Sequence, residues 1–282
     1  MGKIAIIGGS GFYGLADFGG KKVVRTSFGQ PSDFLSTAKI GDTEAIFLPR
    51  HGQGHLIPPH EINYRANIWA LKSQGVDRIL SVTACGSLKE HLRPLDFVIV
   101  DQFIDLAVNR KNTFFDTGCV AHVSMANPVC PALRKQLISL SRRFPAVTIH
   151  TTGTYLNING PHFSSRAESA MYQQFADVIG MTNATEAKLA REAGICYATL
   201  ACVTDYDSWH PEFEHVTVEM ILDNLRKNVE HAQKLVQAFL TEPYTKPDCN
   251  CGESLKYALI TDPKKRRILT KMKKCFNHIR GA

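Results

Sequence analysis

The strongest constraint on this chain is an alternation. Seven short apolar runs are separated by turns or by stretches of helical length: IAIIG, EAIFLP, RILSVTA, DFVIVDQFIDL, TIHTTGTYLNI, DVIGMT and CYATLACVTDY. Most are rich in β-branched residues and too short for a helix, so they read as buried strands. Asn63 to Gln74 is a helical stretch that starts at an Asn cap and stops at Gly75. Cys130 to Phe144, the segment SSRAESAMYQQFA capped by Ser164 or Ser165, and NATEAKLAREAG ending on Gly194 behave alike. Val218 to Leu240 reads as a long amphipathic helix. Such an order predicts an α/β domain whose sheet carries helices on both faces. No repeat or linker interrupts it, so residues 1–241 form one domain. From Glu242 the composition shifts to Pro, Cys, Lys and Asp, marking 242–282 as a C-terminal extension.

Charge is distributed unevenly between these parts. Of the net +7, the stretch from Thr241 onward carries +6, chiefly in Lys264-Lys265-Arg266-Arg267 and Lys271-Met272-Lys273-Lys274. That tail reads either as an anion, nucleic-acid or targeting patch or, with more weight, as a solvated basic appendage or helix face. No apolar run approaches the ~20 residues of a membrane span, and the N-terminus does not resemble a signal peptide. These features predict a cytoplasmic protein, with nuclear access left open, and neither a membrane nor a nucleic acid as partner. Of eight cysteines, Cys85, Cys196 and Cys202 fall inside apolar runs and read as small buried hydrophobes. Cys249-Asn250-Cys251 stands as a lone C-x-C with no second pair at zinc spacing, either redox-active or an inert loop. No metal site is expected.

The first strand runs into GGSGFYG, which fits the dinucleotide pattern G-x-G-x-x-G by letter. That pattern requires a helix directly after it, whose N-terminus holds the pyrophosphate. Here Gly14, Gly19 and Gly20 follow, each costing ~1 kcal/mol in a helix, and the fingerprint fails its context. The loop is then a tight turn or a nest of amides for one anion, with the Ser10 hydroxyl added. Two other strand ends favour the nest. FLPRHGQGH places Arg50 and His51 after a strand, and RILSVTACGS ends in Thr83, Ala84 and Gly86. Strand ends of α/β sheets collect ligands, Arg forks onto phosphate oxygens, and His adds a second donor. With no P-loop lysine and no acidic magnesium cluster beside them, free phosphate suits the set better than a nucleoside triphosphate.

The last apolar run ends in Asp205 and Asp207. Two acids at a buried strand end are costly unless they meet polar ligand atoms, and burial would raise one toward the range of a general acid. At i, i+2 on an extended chain they point to one side. Phe163 on a Gly-Pro turn adds a stacking face, and Met181-Thr182 forms another strand end. An aromatic face, carboxylates and an anion nest together suggest a nucleoside beside phosphate, with C–N cleavage as the chemistry.

The motifs IIGGSG, FLPRHGQGH, PPHEINYRANIWALK, TACGSL, DFVIVDQFID, GPHFSSRAES, GMT and VTDYD run in order from Ile4 to about Leu240. Together they resemble the methylthioadenosine phosphorylase branch of the purine nucleoside phosphorylase superfamily. The resemblance implies a mixed central β-sheet and phosphorolysis of 5′-deoxy-5′-methylthioadenosine, with phosphate as co-substrate and no cofactor. By position it assigns phosphate to Ser10, Arg50, His51, Thr83, Ala84 and Thr182. It sets Met181 under the ribose, Phe163 and Ser164 beside the purine, and Asp205 and Asp207 at N7 and the 6-amino group. His55, Val218 and Ile221 would line the methylthio pocket, with His122 arriving from a neighbouring subunit of a homotrimer or a hexameric dimer of trimers. The chain departs from the family's usual residues at Asn159, His162 and Thr185. A broader purine nucleoside phosphorylase accepting adenosine or methylthioinosine is the nearest alternative.

Overall fold

The computed structural model describes residues 2–9, 18–41, 43–211, 218–243 and 248–267, with backbone alone over 218–221. In chain order the strands and helices are β1 (Lys3–Gly8), β2 (Gly20–Lys22), β3 (Leu35–Ile40), β4 (Thr43–Pro49) and α1 (Tyr64–Ser73). There follow β5 (Val76–Ser87), β6 (Phe97–Ile99), β7 (Gln102–Asp105), α2 (Pro131–Ser141), β8 (Ile149–His150) and β9 (Thr154–Asn157). The remainder are α3 (Arg166–Tyr172), β10 (Val178–Gly180), α4 (Asn183–Glu192), β11 (Cys196–Asp205) and α5 (Val218–Thr241).

One mixed sheet holds these strands in the order β2-β3-β4-β1-β5-β10-β9-β7, with β11 on β5 and β6 and β8 beyond it. At its centre β4, β1, β5 and β11 are parallel, so their C-terminal ends open on one side. The twelve-residue β5 organises the branch. Val76 to Ser81 pairs with β1, whereas Gly86 and Ser87 pair antiparallel with β10.

Strand alternation divides the core into two layers. Ile4 and Ile6 of β1 face α2 and α5, joining Leu133 and Leu137 with Leu235, Val236 and Phe239. Ala5 and Ile7 face the other way, onto Ile68 and Leu71 of α1 and Ala187 and Leu189 of α4. Each fully buried Leu, Val, Ile or Phe is worth about 1.5–3 kcal/mol, so both helical layers are held mainly by these stripes. Helices on both faces are therefore as expected.

The caps follow the sequence closely. The Asn63 side chain accepts from Ala66 N–H at 3.1 Å. Ser165, rather than Ser164, caps α3 in a reciprocal box with Glu168. Two long apolar runs are each split in two: β6 and β7 part at Val100–Asp101, and β8 and β9 part at 151–153. The β2–β3 hairpin carried no apolar run, because β2 (GKK) is an exposed edge.

The extension is not a free appendage over residues 248–267. Cys251 joins one core layer, and Leu255 and Ala258 join the other. Leu259 bridges to Ala121, and the Arg267 amide donates to Gly118 O at 2.9 Å. Lys264 and Lys265 remain on the surface.

Candidate active site

A cavity of about 650 Å³ opens at the C-terminal ends of the parallel strands. Gly9 follows β1, Arg50 and His51 follow β4, and Thr83 and Ala84 lie in β5. Thr182, the N-cap of α4, completes this polar end, and its side chain makes no capping bond to the helix. A helix N-terminus presents unpaired amides and a partial positive charge to an anion. A Cβ at Gly9 would sit 3.8 Å from Arg50 Nη1, so the glycine turn and the guanidinium face one another.

Arg50 is fixed rather than flexible. It is 1% exposed, and its Nε donates to Glu186 Oε1 at 2.5 Å while Nη2 donates to Ser81 Oγ at 2.6 Å. Nη1 reaches Val82 O at 3.2 Å. Burial opposes its charge, but the Glu186 carboxylate more than offsets this and holds the guanidinium protonated. Glu186 in turn accepts from Ser81 and Tyr197 hydroxyls, at 2.8 and 2.9 Å. Asn183 ties Ser81, Tyr197 and Thr199 together through Nδ2. Sequence reasoning missed this network, because Glu186 reads as an ordinary acid in a helix. Polar residues such as Ser81 and Thr199 within buried strands were the available signal.

His51 differs from expectation in chemical character. Its Nδ1 lies 2.9 Å from Ile57 O, and a carbonyl only accepts, so Nδ1 carries the hydrogen. Burial, with Arg50 and His55 beside it, pushes the ring down to about 3. The neutral ring leaves Nε2 as an acceptor, so it would meet a protonated phosphate oxygen rather than donate to an anionic one. His55 stacks on it with centroids 4.1 Å apart, at positive φ (57°).

At the other end of the cavity stand the two acids. Asp205, the last residue of β11, is 6% exposed, and burial raises it to about 6. Thr204 Oγ1 donates to its Oδ2 at 2.6 Å and Asp207 N to its Oδ1 at 2.8 Å, both favouring the ionised form. Asp207 is also raised, chiefly by burial, while Ser169 Oγ donates to it at 2.5 Å. The pleat does not bring them together: Asp207 lies beyond the strand and returns through a left-handed turn (φ 48°). A Cβ at Gly86 would meet Asp205 Oδ1 at 2.9 Å and Asp207 Cβ at 3.3 Å, so only glycine leaves room for the pair.

Met181 and Phe163 form the middle and the mouth of the cavity, Phe163 half exposed. Arg110, a residue sequence reasoning did not single out, braces this wall. Its Nη1 donates to Met181 O at 2.5 Å and its Nη2 to Asn159 O at 2.6 Å. Thr185, one of the family departures, accepts from Arg110 at 3.3 Å and so belongs to the same brace. His55 and Leu56, with Leu222, Leu225 and Val229 from α5, line an apolar side.

Other expected residues do not line this cavity or lie outside what is described. Ser164 is buried against Asp207 rather than lining the cavity, and its carbonyl accepts from Ser208 Oγ at 2.7 Å. His122 faces a second cavity of about 560 Å³ and does not reach the first within the chain. Ser10 and the side chains of Val218 and Ile221 lie outside the described residues. One reading is overturned: the C-x-C is not alone. Cys249 and Cys251 meet Cys130 and Cys196, all four sulfurs within 4.8 Å of one another.

The chain matches the model of the Phosphorylase superfamily over residues 3–241. It is 50% identical to S-methyl-5'-thioadenosine phosphorylase of Saccharolobus solfataricus, over 92% of this chain and 97% of that protein. Its fold superposes with TM-score 0.87 and 44% identity on a methylthioadenosine phosphorylase from an antarctic soil metagenomic library, covering 98% of both chains. A mutant adenosine/methylthioadenosine phosphorylase of Schistosoma mansoni, solved in complex with methylthioadenosine, superposes with TM-score 0.81 and 41% identity. That match covers 85% of this chain and 91% of the other.

Proposed function

The chain belongs to the phosphorylase superfamily, and we propose that it catalyses phosphorolysis of 5′-deoxy-5′-methylthioadenosine to adenine and 5-methylthioribose 1-phosphate. The observation that carries this reading is a single cavity with an anion cradle at one end and a carboxyl raised to about 6 at the other. A phosphate oxygen attacks C1′ as the C1′–N9 bond breaks and its electron pair passes to the purine. Asp205 supplies a proton to N7, which lowers the barrier for a poor leaving anion. Asp207 accepts from the 6-amino group.

Arg50, Thr83, the Ala84 region and the open N-terminus of α4 hold phosphate close to C1′, and its charge offsets the oxocarbenium character of the sugar. His51 Nε2 accepts from a protonated phosphate oxygen. Met181 supports the ribose and Phe163 the purine face. The apolar wall of His55, Leu56, Leu222 and Val229 takes the methylthio group, leaving a 5′-hydroxyl poorly paired there. We assign no cofactor to the reaction, phosphate being the co-substrate. We read the assembly as a homotrimer or dimer of trimers in which His122 reaches the neighbour's cavity. His122→Ala would then raise KM for the nucleoside without changing the mass seen by ultracentrifugation. No helix among the described residues is long and apolar enough to cross a membrane, and we place the reaction in the cytoplasm.

The test is a panel of methylthioadenosine, adenosine, methylthioinosine and inosine, each with and without phosphate. Phosphate-dependent adenine release, fastest from methylthioadenosine, is expected. Equal turnover of adenosine would instead favour the broader specificity named for the Schistosoma mansoni relative. Base release that ignores phosphate would refute phosphorolysis.

A further inference from the structure

None of the four converging cysteines lines the cavity, and they take no part in the chemistry above. Cys130 caps α2, Cys196 opens β11, and Cys249 and Cys251 lie in the extension, so three separate segments supply the thiols. Cys130 Sγ lies 3.6 Å from Cys249 Sγ, and Cys196 Sγ lies 3.4 Å from it. A disulfide needs ~2.05 Å, and every described cysteine is unbridged. Four thiolates about 2.3 Å from a central zinc ion have tetrahedral edges of about 3.8 Å. The sulfur spacings approach those edges.

The surroundings suit a thiolate cage. Leu133 N–H points at Cys130 Sγ at 3.5 Å, at the start of α2 where the helix dipole favours negative charge. Arg191 Nη1 lies 3.8 Å from Cys251 Sγ, placing a cation beside the group. Buried cysteines often serve as small hydrophobes, which accounts for Cys130 and Cys196. It does not account for Cys249, partly exposed in a loop, being drawn onto both. Gly194, which ends α4 at positive φ, packs against the backbone of Cys251 and Gly252, where a Cβ would come within 3.3–3.5 Å. The main chain is therefore shaped to bring the C-x-C close.

We propose that Cys130, Cys196, Cys249 and Cys251 bind one zinc ion tetrahedrally and thereby fasten the C-terminal extension to the phosphorylase domain. All-sulfur tetrahedral sites select zinc among common divalent ions. With four protein ligands the site is closed, so its part is structural. Binding would displace the thiol protons and stabilise the fold by linkage, since the unfolded chain does not hold the four sulfurs together.

The test uses the full chain, prepared with reductant and zinc and then freed of loose metal. About one zinc per chain is expected, released together with four reactive thiols on mercurial titration. Cobalt in place of zinc should show the ligand-field bands of a tetrahedral thiolate site. The double variant Cys249→Ser, Cys251→Ser should lose the zinc and melt several degrees lower. It should keep most phosphorolysis below its melting range, because no cavity residue changes. Absence of stoichiometric zinc in the wild type would overturn the proposal. So would retention of zinc by the double variant, or a second sample isolated without reductant that, once denatured, lacks four titratable thiols because they are paired as disulfides. The cobalt spectrum of the wild type decides the matter even if the variant fails to fold.

Discussion

Two of the buried acid sites, Glu186 and the Asp205–Asp207 pair, are treated oppositely. Glu186 is given a cation, since Arg50 lies 2.5 Å away, and the Ser81 and Tyr197 hydroxyls donate to its carboxylate. Asp205 and Asp207 receive hydroxyls and an amide, and no salt bridge among the described residues engages either one. A buried carboxylate with a guanidinium partner stays charged and becomes scaffold. One without it is pushed toward its protonated form and keeps a proton to give. Position alone does not separate them, since Glu186 lies in the first turn of α4 and Asp205 and Asp207 lie at and just past the end of β11. The difference is the counter-ion.

Removing the proton donor should have the largest effect. Asp205→Asn is expected to cut kcat by about 10²–10⁴-fold while KM for phosphate moves little, as read from kinetics with phosphate varied. A loss confined to phosphate KM would make the two sites one. Next comes the paired acid. Glu186→Gln leaves a buried guanidinium without its charge partner, which typically costs about 3–5 kcal/mol, measurable as a lowered urea midpoint. Phosphate should restore more stability to this variant than to the wild type, because the anion then supplies the missing charge.

The pH dependence sharpens the contrast further. Asp205 is raised to about 6 in the fold from an ordinary 3.8, so between those values the native state holds more protons than the unfolded chain. Its contribution is therefore most favourable below about pH 4 and declines as pH rises toward 6, by about 3 kcal/mol in all. Subtracting the stability profile of Asp205→Asn isolates this fall, and a flat difference would contradict it. In activity, an alkaline limb with its apparent pKa at or above 6 should be present in the wild type and absent from the variant. The smallest change is expected from Asp207→Asn. It should move preference from 6-amino toward 6-oxo purines by on the order of ten- to a hundredfold, an amide N–H meeting a carbonyl.

The motif-bearing strand ends were legible because their sequence signals are local: an apolar run, then Arg50-His51, or Thr83 to Gly86, or Asp205. The cover on both faces was legible as well, because continuous apolar runs such as Ile4 to Ile7 alternate along the chain with helical stretches. Three features were not. The direction of the His51 ring depends on Ile57 O, a loop carbonyl with no side-chain signature. The role of Glu186 depends on Arg50, 136 positions away. The fellowship of Cys249 depends on Cys130 and Cys196, 119 and 53 positions distant. Such pairings are made by topology, and spacing rules built for neighbouring ligands pass over them.

One strand puts these matters in order. β11 is buried along its whole length, beginning at Cys196 among the thiols and ending at Asp205 in the cavity. Ten extended residues span roughly 30 Å, the width of a small domain. The molecule thus has a poised end, where protons and anions move, and a moored end, where the chain is tied down. Changes to the mooring can accumulate, in length or in chemistry, a full strand away from the reaction.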